Sequence, residues 1–374
     1  RTPPRQSPRP DNWLPIRERG TKMPPLTNVE RVFRALDLEE PDVVPHFEFL
    51  IHQKVRDAIL PGATYEDFVE FMDLDGAAVF DKTAWRYETL DTEKNIARDQ
   101  WGGVVRFTSE DIAHPVEPCL KSEKELDSYA PPDPNLPWRY ERLARLVKRF
   151  KGKRAIIATV TDVFDVARES LLGDVAYFKA MITNPDLIDR VNNIVLNYHL
   201  EYLRNCIDIG VDIILVTGDF ATTQGPMVSP RHTARFIIPP LQKMVSYTRE
   251  RGVRVIKHTD GNIWKIFDLI VGTGVNGVHP IDPEAGMDIG EAKTRYGHKV
   301  CLIGNIDCGP LLTWGTEEEV RREVKECIRK AGRGGGLICM SSNSIHSAVK
   351  PENYVAMVRA IREYGRYPLA FNGC

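Results

Sequence analysis

Two histidines and the carboxylates spaced around them are the residues of this chain best suited to chemistry. In VRVIKHTD, residues 253–260, His258 and Asp260 stand two apart, so on an extended strand both project to one side. In GVNGVHPID, residues 274–282, His279 ends a second apolar run and is followed by Asp282. The segment between them carries Ile263, Ile266, Phe267 and Ile270 at the spacing of one buried helical stripe. Strand, helix and strand in that order set two parallel strands side by side, and α/β folds build their sites at the carboxyl edge of such strands. Imidazole and carboxylate converging there would either bind a metal ion or move a proton. A lone histidine is more often a satisfied core residue; the joint placement of two at equivalent strand ends favours a site.

The elements needed to position them recur along the chain. Apolar runs at 43–50, 76–81, 155–162, 211–219, 253–260, 274–282, 299–307 and 335–342 are each followed by a polar or glycine-bearing tip. Their near-continuous apolar texture is that of parallel strands buried on both faces. Helical segments separate them, such as TEEEVRREVKECIRKAG at 316–332, with a capping box in Thr316 and Glu319 and a terminal glycine. Eight such units predict one (β/α)8 barrel. Its carboxyl ends would carry His46 and Glu48, Asp81, Asp162, Asp219, His258 and Asp260, His279 and Asp282, Asn305 and Asp307, then Ser341, Ser342 and Asn343. Glu48, Asp219, His258 and His279 are the favoured chemical groups, with Asp260 and Asn305 as further catalytic candidates. For Asp162, Asp282 and Asp307, capping the next helix is at least as good a reading.

Two regions fall outside the repeat. Residues 1–26 are rich in proline and arginine and read as an arm, either a tail or a clasp on another subunit of a homo-oligomer. Residues 27–374 read as the barrel domain, interrupted at about 84–137 by an insertion with the aromatic and β-branched bias of a hairpin, bending at Gly102 and Gly103. A formal charge of −2 offers no field for nucleic acid, and no apolar run approaches the roughly 18 residues a membrane helix needs. Seven cysteines without a C-x-x-C pair read as reduced thiols of a cytoplasmic protein. Nucleotide-binding, phosphate-cradling and G-x-S-x-G motifs are missing.

The text VERVFRALDLEEPDVVPHFEF, RDQWGGVVRF, KHTDGNIW with GVHPIDPEAGMDI, GNIDCGPLLTWGTEEEV and GGGLICMSSNSIHSAVKPENY resembles the uroporphyrinogen decarboxylase superfamily over roughly residues 28–365. That resemblance implies a (β/α)8 barrel and two functional branches, porphyrinogen decarboxylases and corrinoid-dependent methyltransferases. The decarboxylases hold their substrate with arginines after the first strand, where this chain has Glu48. The thiol-methylating branch holds zinc with His-x-Cys and a later cysteine; here the corresponding residues are His258-Thr259-Asp260 and SSNS. The resemblance therefore implies a zinc site with harder ligands, His258 with members of the set Asp260, Glu48, Asp219 and His279. The activity it implies is methyl transfer from a small O-methylated substrate to cobalt. Without a D-x-H-x-x-G motif, the corrinoid would arrive on a partner protein.

Overall fold

The computed structural model describes residues 25–371. The arm up to residue 24, and Cys374, lie outside the described residues. The strands in chain order are β1 (Gly76–Val79), β2 (Glu88–Asp91), β3 (Ile96–Arg98), β4 (Val104–Arg106), β5 (His114–Glu117), β6 (Ala155–Thr161), β7 (Ile213–Thr217), β8 (Ala221–Thr222), β9 (Gly225–Pro226), β10 (Arg254–His258), β11 (Gly277–His279), β12 (Cys301–Ile306) and β13 (Leu337–Ser341). Seven of them form one parallel sheet in the order β1, β6, β7, β10, β11, β12, β13, and helices surround it. Sequential neighbours in a curled parallel sheet with helical crossovers make the (β/α)8 barrel.

The eighth wall departs from the expected strand. Residues 43–51 run between β1 and β13 as an extended segment without a regular ladder. His46 carbonyl accepts from Asp75 N at 2.7 Å on one side, and Pro45 carbonyl accepts from Cys339 N at 3.1 Å on the other. Pro45 has no N–H, and the His46 N–H is taken by the Asp75 carboxylate at 2.7 Å, so neither amide can serve a strand partner. Single bridges of Val43 to Arg366 and Ile51 to Ile345 pin the two ends of the segment.

Every residue of β6, β7 and β13 is buried, as expected for strands covered on both faces. Phe47, Ile157, Leu215, Ile256, Ile303 and Ile338 belong to the cluster filling the barrel. Their neighbours in sequence, such as Ile156, Ile214 and Val255, pack outward into the helical layer. Ile263, Ile266, Phe267 and Ile270 are all buried, although the regular helix begins only at Phe267.

The insertion is larger than one hairpin: β2 to β5 form a four-stranded antiparallel sheet. Trp101, in the bend between β3 and β4, anchors it by packing edge-on against Tyr198 with ring centroids 4.7 Å apart. Asp99 fixes that bend by accepting from Trp101 N and Gly103 N, and ties it to the barrel through Ser170 Oγ at 2.8 Å. Among the described residues no helix is long and apolar enough to cross a membrane.

Candidate active site

The register of β10 against β11 pairs His258 directly with His279 at the carboxyl edge. Their Nδ1 atoms lie 2.8 Å apart and their rings are stacked, centroids 5.0 Å apart. Phe49, from the extended wall segment, closes over both, its ring 5.2 Å from that of His258 and 5.6 Å from that of His279.

The other nitrogen of His258 faces two carboxylates. Nε2 lies 3.8 Å from Asp219 Oδ1 and 3.6 Å from Asp260 Oδ1. Ligand atoms of these three residues fall within 4.8 Å of one another. Asp260 stays on the same side as His258, as its two-residue spacing requires, and its amide donates to Asp219 Oδ1 at 2.8 Å. Asn343 donates to Asp260 Oδ2, while Asp260 Oδ1 is buried without a hydrogen-bond partner. Gly218 brings Asp219 into place: with φ of 125° it is in a region L side chains avoid, and a Cβ there would stand 2.8 Å from Asp162 Cβ.

Burial dominates the electrostatics. It pushes the His258 imidazole well below its usual range, helped by His279 and Lys257. Burial likewise raises Asp219 to about 6, with Asp165 adding repulsion, and raises Asp260 well above the carboxylate range, with Asp219 the next cause. A neutral imidazole, two carboxylates that repel each other and a buried oxygen without a donor form a set that a cation would satisfy. One nitrogen and two oxygen donors suit zinc, and three protein donors leave a position for substrate. Asp219 and Asp260 side chains are 38% and 28% exposed, so that position opens toward solvent.

The remaining expected residues go elsewhere. Both ring nitrogens of His279 are engaged, Nδ1 with His258 and Nε2 with the Ser341 carbonyl at 3.0 Å, so it is not free to be a ligand as the sequence suggested. Glu48 joins a closed network instead of this group: Ser341 N and Oγ donate to its two oxygens at 3.0 and 2.7 Å, and His46 Nε2 is 3.9 Å away. Burial raises Glu48 to about 8. Asn305 lines a separate groove of about 610 Å³, shared with Asp288, Glu326 and Lys330. Asp81 is saturated by Thr159 Oγ1, Thr161 N and Thr161 Oγ1. Asp162, Asp282 and Asp307 accept from amides of the turns that follow them.

Sequence reasoning passed over Lys257 and Asp165. Lys257 is fully buried; its Nζ donates to Gly218 carbonyl at 2.8 Å, lies 3.6 Å from Asp162 and sits 3.9 Å from the centre of the Phe220 ring. Asp165 Oδ2 accepts from Asp219 N at 3.2 Å. Together they hold the tip that carries Asp219. A lysine inside the apolar run VRVIKH was the available signal, since a buried ammonium needs a specific partner.

A model of the uroporphyrinogen decarboxylase family matches residues 97–364, more than half of the chain, and the chain belongs to that family. The uroporphyrinogen decarboxylase of Trichodesmium erythraeum is 26% identical over 236 residues, 60% of this chain and 63% of that protein. That of Pseudoalteromonas atlantica is 29% identical over 191 residues, 50% of this chain and 51% of that protein. The chain thus spans about half to just under two thirds of the length of these relatives. Among solved structures, a methyltransferase from Methanosarcina mazei superposes with a TM-score of 0.72, covering 90% of this chain and 99% of that one at 19% identity, a likeness of fold.

Proposed function

We propose that the protein is a methyltransferase that moves a methyl group from a small O-methylated substrate to the cobalt of a corrinoid held by a separate protein. The observation that carries this reading is the Asp219, His258 and Asp260 set at the barrel mouth, with its unpartnered Asp260 oxygen. These residues would hold zinc through His258 Nε2 and one oxygen from each aspartate. Bound there, the ion would supply Lewis-acid polarisation of the ether oxygen, worth several kcal/mol in the departure of a poor alkoxide.

The chain's own residues do the rest. Phe49 shields the inner face of both imidazoles from water. Lys257 holds the Gly218 carbonyl and with it the backbone that presents Asp219. Asn343 occupies Asp260 Oδ2 and leaves Oδ1 for the site. If the site works without an ion, the raised affinity of Asp219 and Asp260 for a proton lets one of them hold it at a carboxyl oxygen and deliver it to the leaving oxygen. As the carbon–oxygen bond breaks, its electron pair would stay on oxygen while cob(I) supplies the pair for the new cobalt–carbon bond; the proton that makes the oxygen a hydroxyl would come from the protonated aspartate, or from water where both carboxylates hold an ion. Free thiols at all six described cysteines suit a reducing cytoplasm, where we place the protein.

The names of the curated relatives favour a second reading, porphyrinogen decarboxylation. Against it, the mouth presents Asp219 and Asp260, and the nearby cations Lys257, Lys82 and Arg168 are paired with Asp162, Glu169 and Asp165. A polycarboxylate would meet repulsion there. The deciding experiment incubates the purified chain with a cob(I)alamin-loaded corrinoid protein and a panel of methoxylated compounds, with uroporphyrinogen in parallel. Methylcobalamin formation supports the proposal; porphyrinogen decarboxylation without methyl transfer overturns it.

A further inference from the structure

We propose that His279 is a positioning residue that fixes the tautomer of His258 and so aims an unprotonated Nε2 at Asp219 and Asp260. The inference rests on the functional reading of that set and deepens it. Its starting point is the Ser341 carbonyl, which can only accept a hydrogen bond. His279 Nε2 lies 3.0 Å from that oxygen, so Nε2 carries the proton. The ring has no exposed surface, and the partners of its two nitrogens are a carbonyl and an imidazole, neither of them an anion that would balance a second proton. His279 is therefore neutral, and its Nδ1 is a bare acceptor.

Across the 2.8 Å gap, His258 Nδ1 must then be the donor. A neutral imidazole has one N–H, so the lone pair of His258 is left on Nε2. The carboxylate geometry agrees independently. An Nε2–H would form a hydrogen bond of about 2.7–2.9 Å to a carboxylate; instead Asp219 and Asp260 stand off at 3.8 and 3.6 Å. An unprotonated Nε2 facing two carboxyl groups is a donor set that suits a cation.

The anchor of this relay is stable because Ser341 is held from three sides. It pairs with Ile306 in the β12 to β13 ladder, and its N–H and Oγ are engaged with Glu48. Its carbonyl is thus fixed toward His279. Partners that orient a ligating histidine through its second nitrogen are worth about 10–100-fold in metal affinity.

The test compares zinc affinity by competition titration in the full chain, His279→Leu and His279→Asn. Leucine removes the acceptor, whereas the asparagine side-chain oxygen reaches the place of Nδ1. His279→Leu should bind zinc about 10–100-fold more weakly, and His279→Asn should recover most of that loss. Equal affinity of His279→Leu and the parent, or an asparagine variant as weak as the leucine one, overturns the proposal. Nitrogen-15 NMR of the histidine-labelled, metal-free parent settles the case should a variant fail to fold. A proton on Nδ1 of His258 supports the relay, and a proton on Nε2 overturns it. If the parent takes up no zinc, the metal reading fails by itself, while the NMR result still decides the tautomer.

Discussion

The barrel holds two clusters built from the same residue types, and their difference separates architecture from chemistry. At the seam, Glu48 and His46 are enclosed: Glu48 is capped on both oxygens by Ser341, and His46 Nδ1 contacts the Cys339 carbonyl at 2.8 Å. Across the mouth, ligand atoms of Asp219, His258 and Asp260 lie within 4.8 Å of one another, and one Asp260 oxygen has no hydrogen-bond partner. Native structures rarely leave buried polar atoms unpaired, because each costs about 1–3 kcal/mol. At the seam the saturated carboxyl group locks the fold; at the mouth the open oxygen can take a ligand or a proton.

This contrast can be broken experimentally, beginning with the largest effect. His258→Ala should lower methyl transfer by about a thousandfold or more, given several kcal/mol from the site, and leave the chain folded. Retained transfer in this variant would move the chemistry elsewhere. Glu48→Ala should do the reverse: it leaves Ser341 N unpaired in a cavity and should lower stability by about 2–4 kcal/mol in urea unfolding. Its zinc stoichiometry should be unchanged.

A gentler change sharpens the same point. The folded-state pKa of Glu48 is raised from its usual 4.5 to about 8 by burial, so between those values the native state binds more protons than the unfolded chain. Its contribution to stability therefore declines as pH rises through that window, by up to about 1.4 kcal/mol per pH unit. Glu48→Gln should flatten the parent's decline in urea midpoint between pH 5 and pH 8; parallel curves would show that Glu48 is not proton-linked. The smallest effect is expected at Asn305. Asn305→Ala should change stability by less than about 0.5 kcal/mol and leave transfer intact, because the residue lines the outer groove rather than the mouth.

Much of the barrel was legible because parallel strands buried on both faces leave apolar runs that survive in the sequence, as at 155–161 and 213–217. The extended wall at 43–51 has that texture too, yet its backbone is diverted by Pro45 and by the Asp75 carboxylate, and the latter contact crosses 29 residues. At the site, His258 and Asp260 were readable together because strand periodicity alone puts them on one side. Glu48 was misplaced for a physical reason: what saturates it is Ser341, 293 residues away, and saturation by a distant partner leaves no local trace. His279 was legible as a strand-end imidazole, but its commitment on both nitrogens depends on the β11 neighbour and the Ser341 carbonyl.

Among the described residues, Asp219, His258 and Asp260 are the set proposed to bind a metal, distinct from the saturated Glu48 cluster. Zinc content after equilibrium dialysis of the parent, His258→Ala and Glu48→Gln tests this assignment most directly. One zinc per chain is expected in the parent and in Glu48→Gln, and none in His258→Ala. Zinc retained by His258→Ala, or lost by a folded Glu48→Gln, would contradict it.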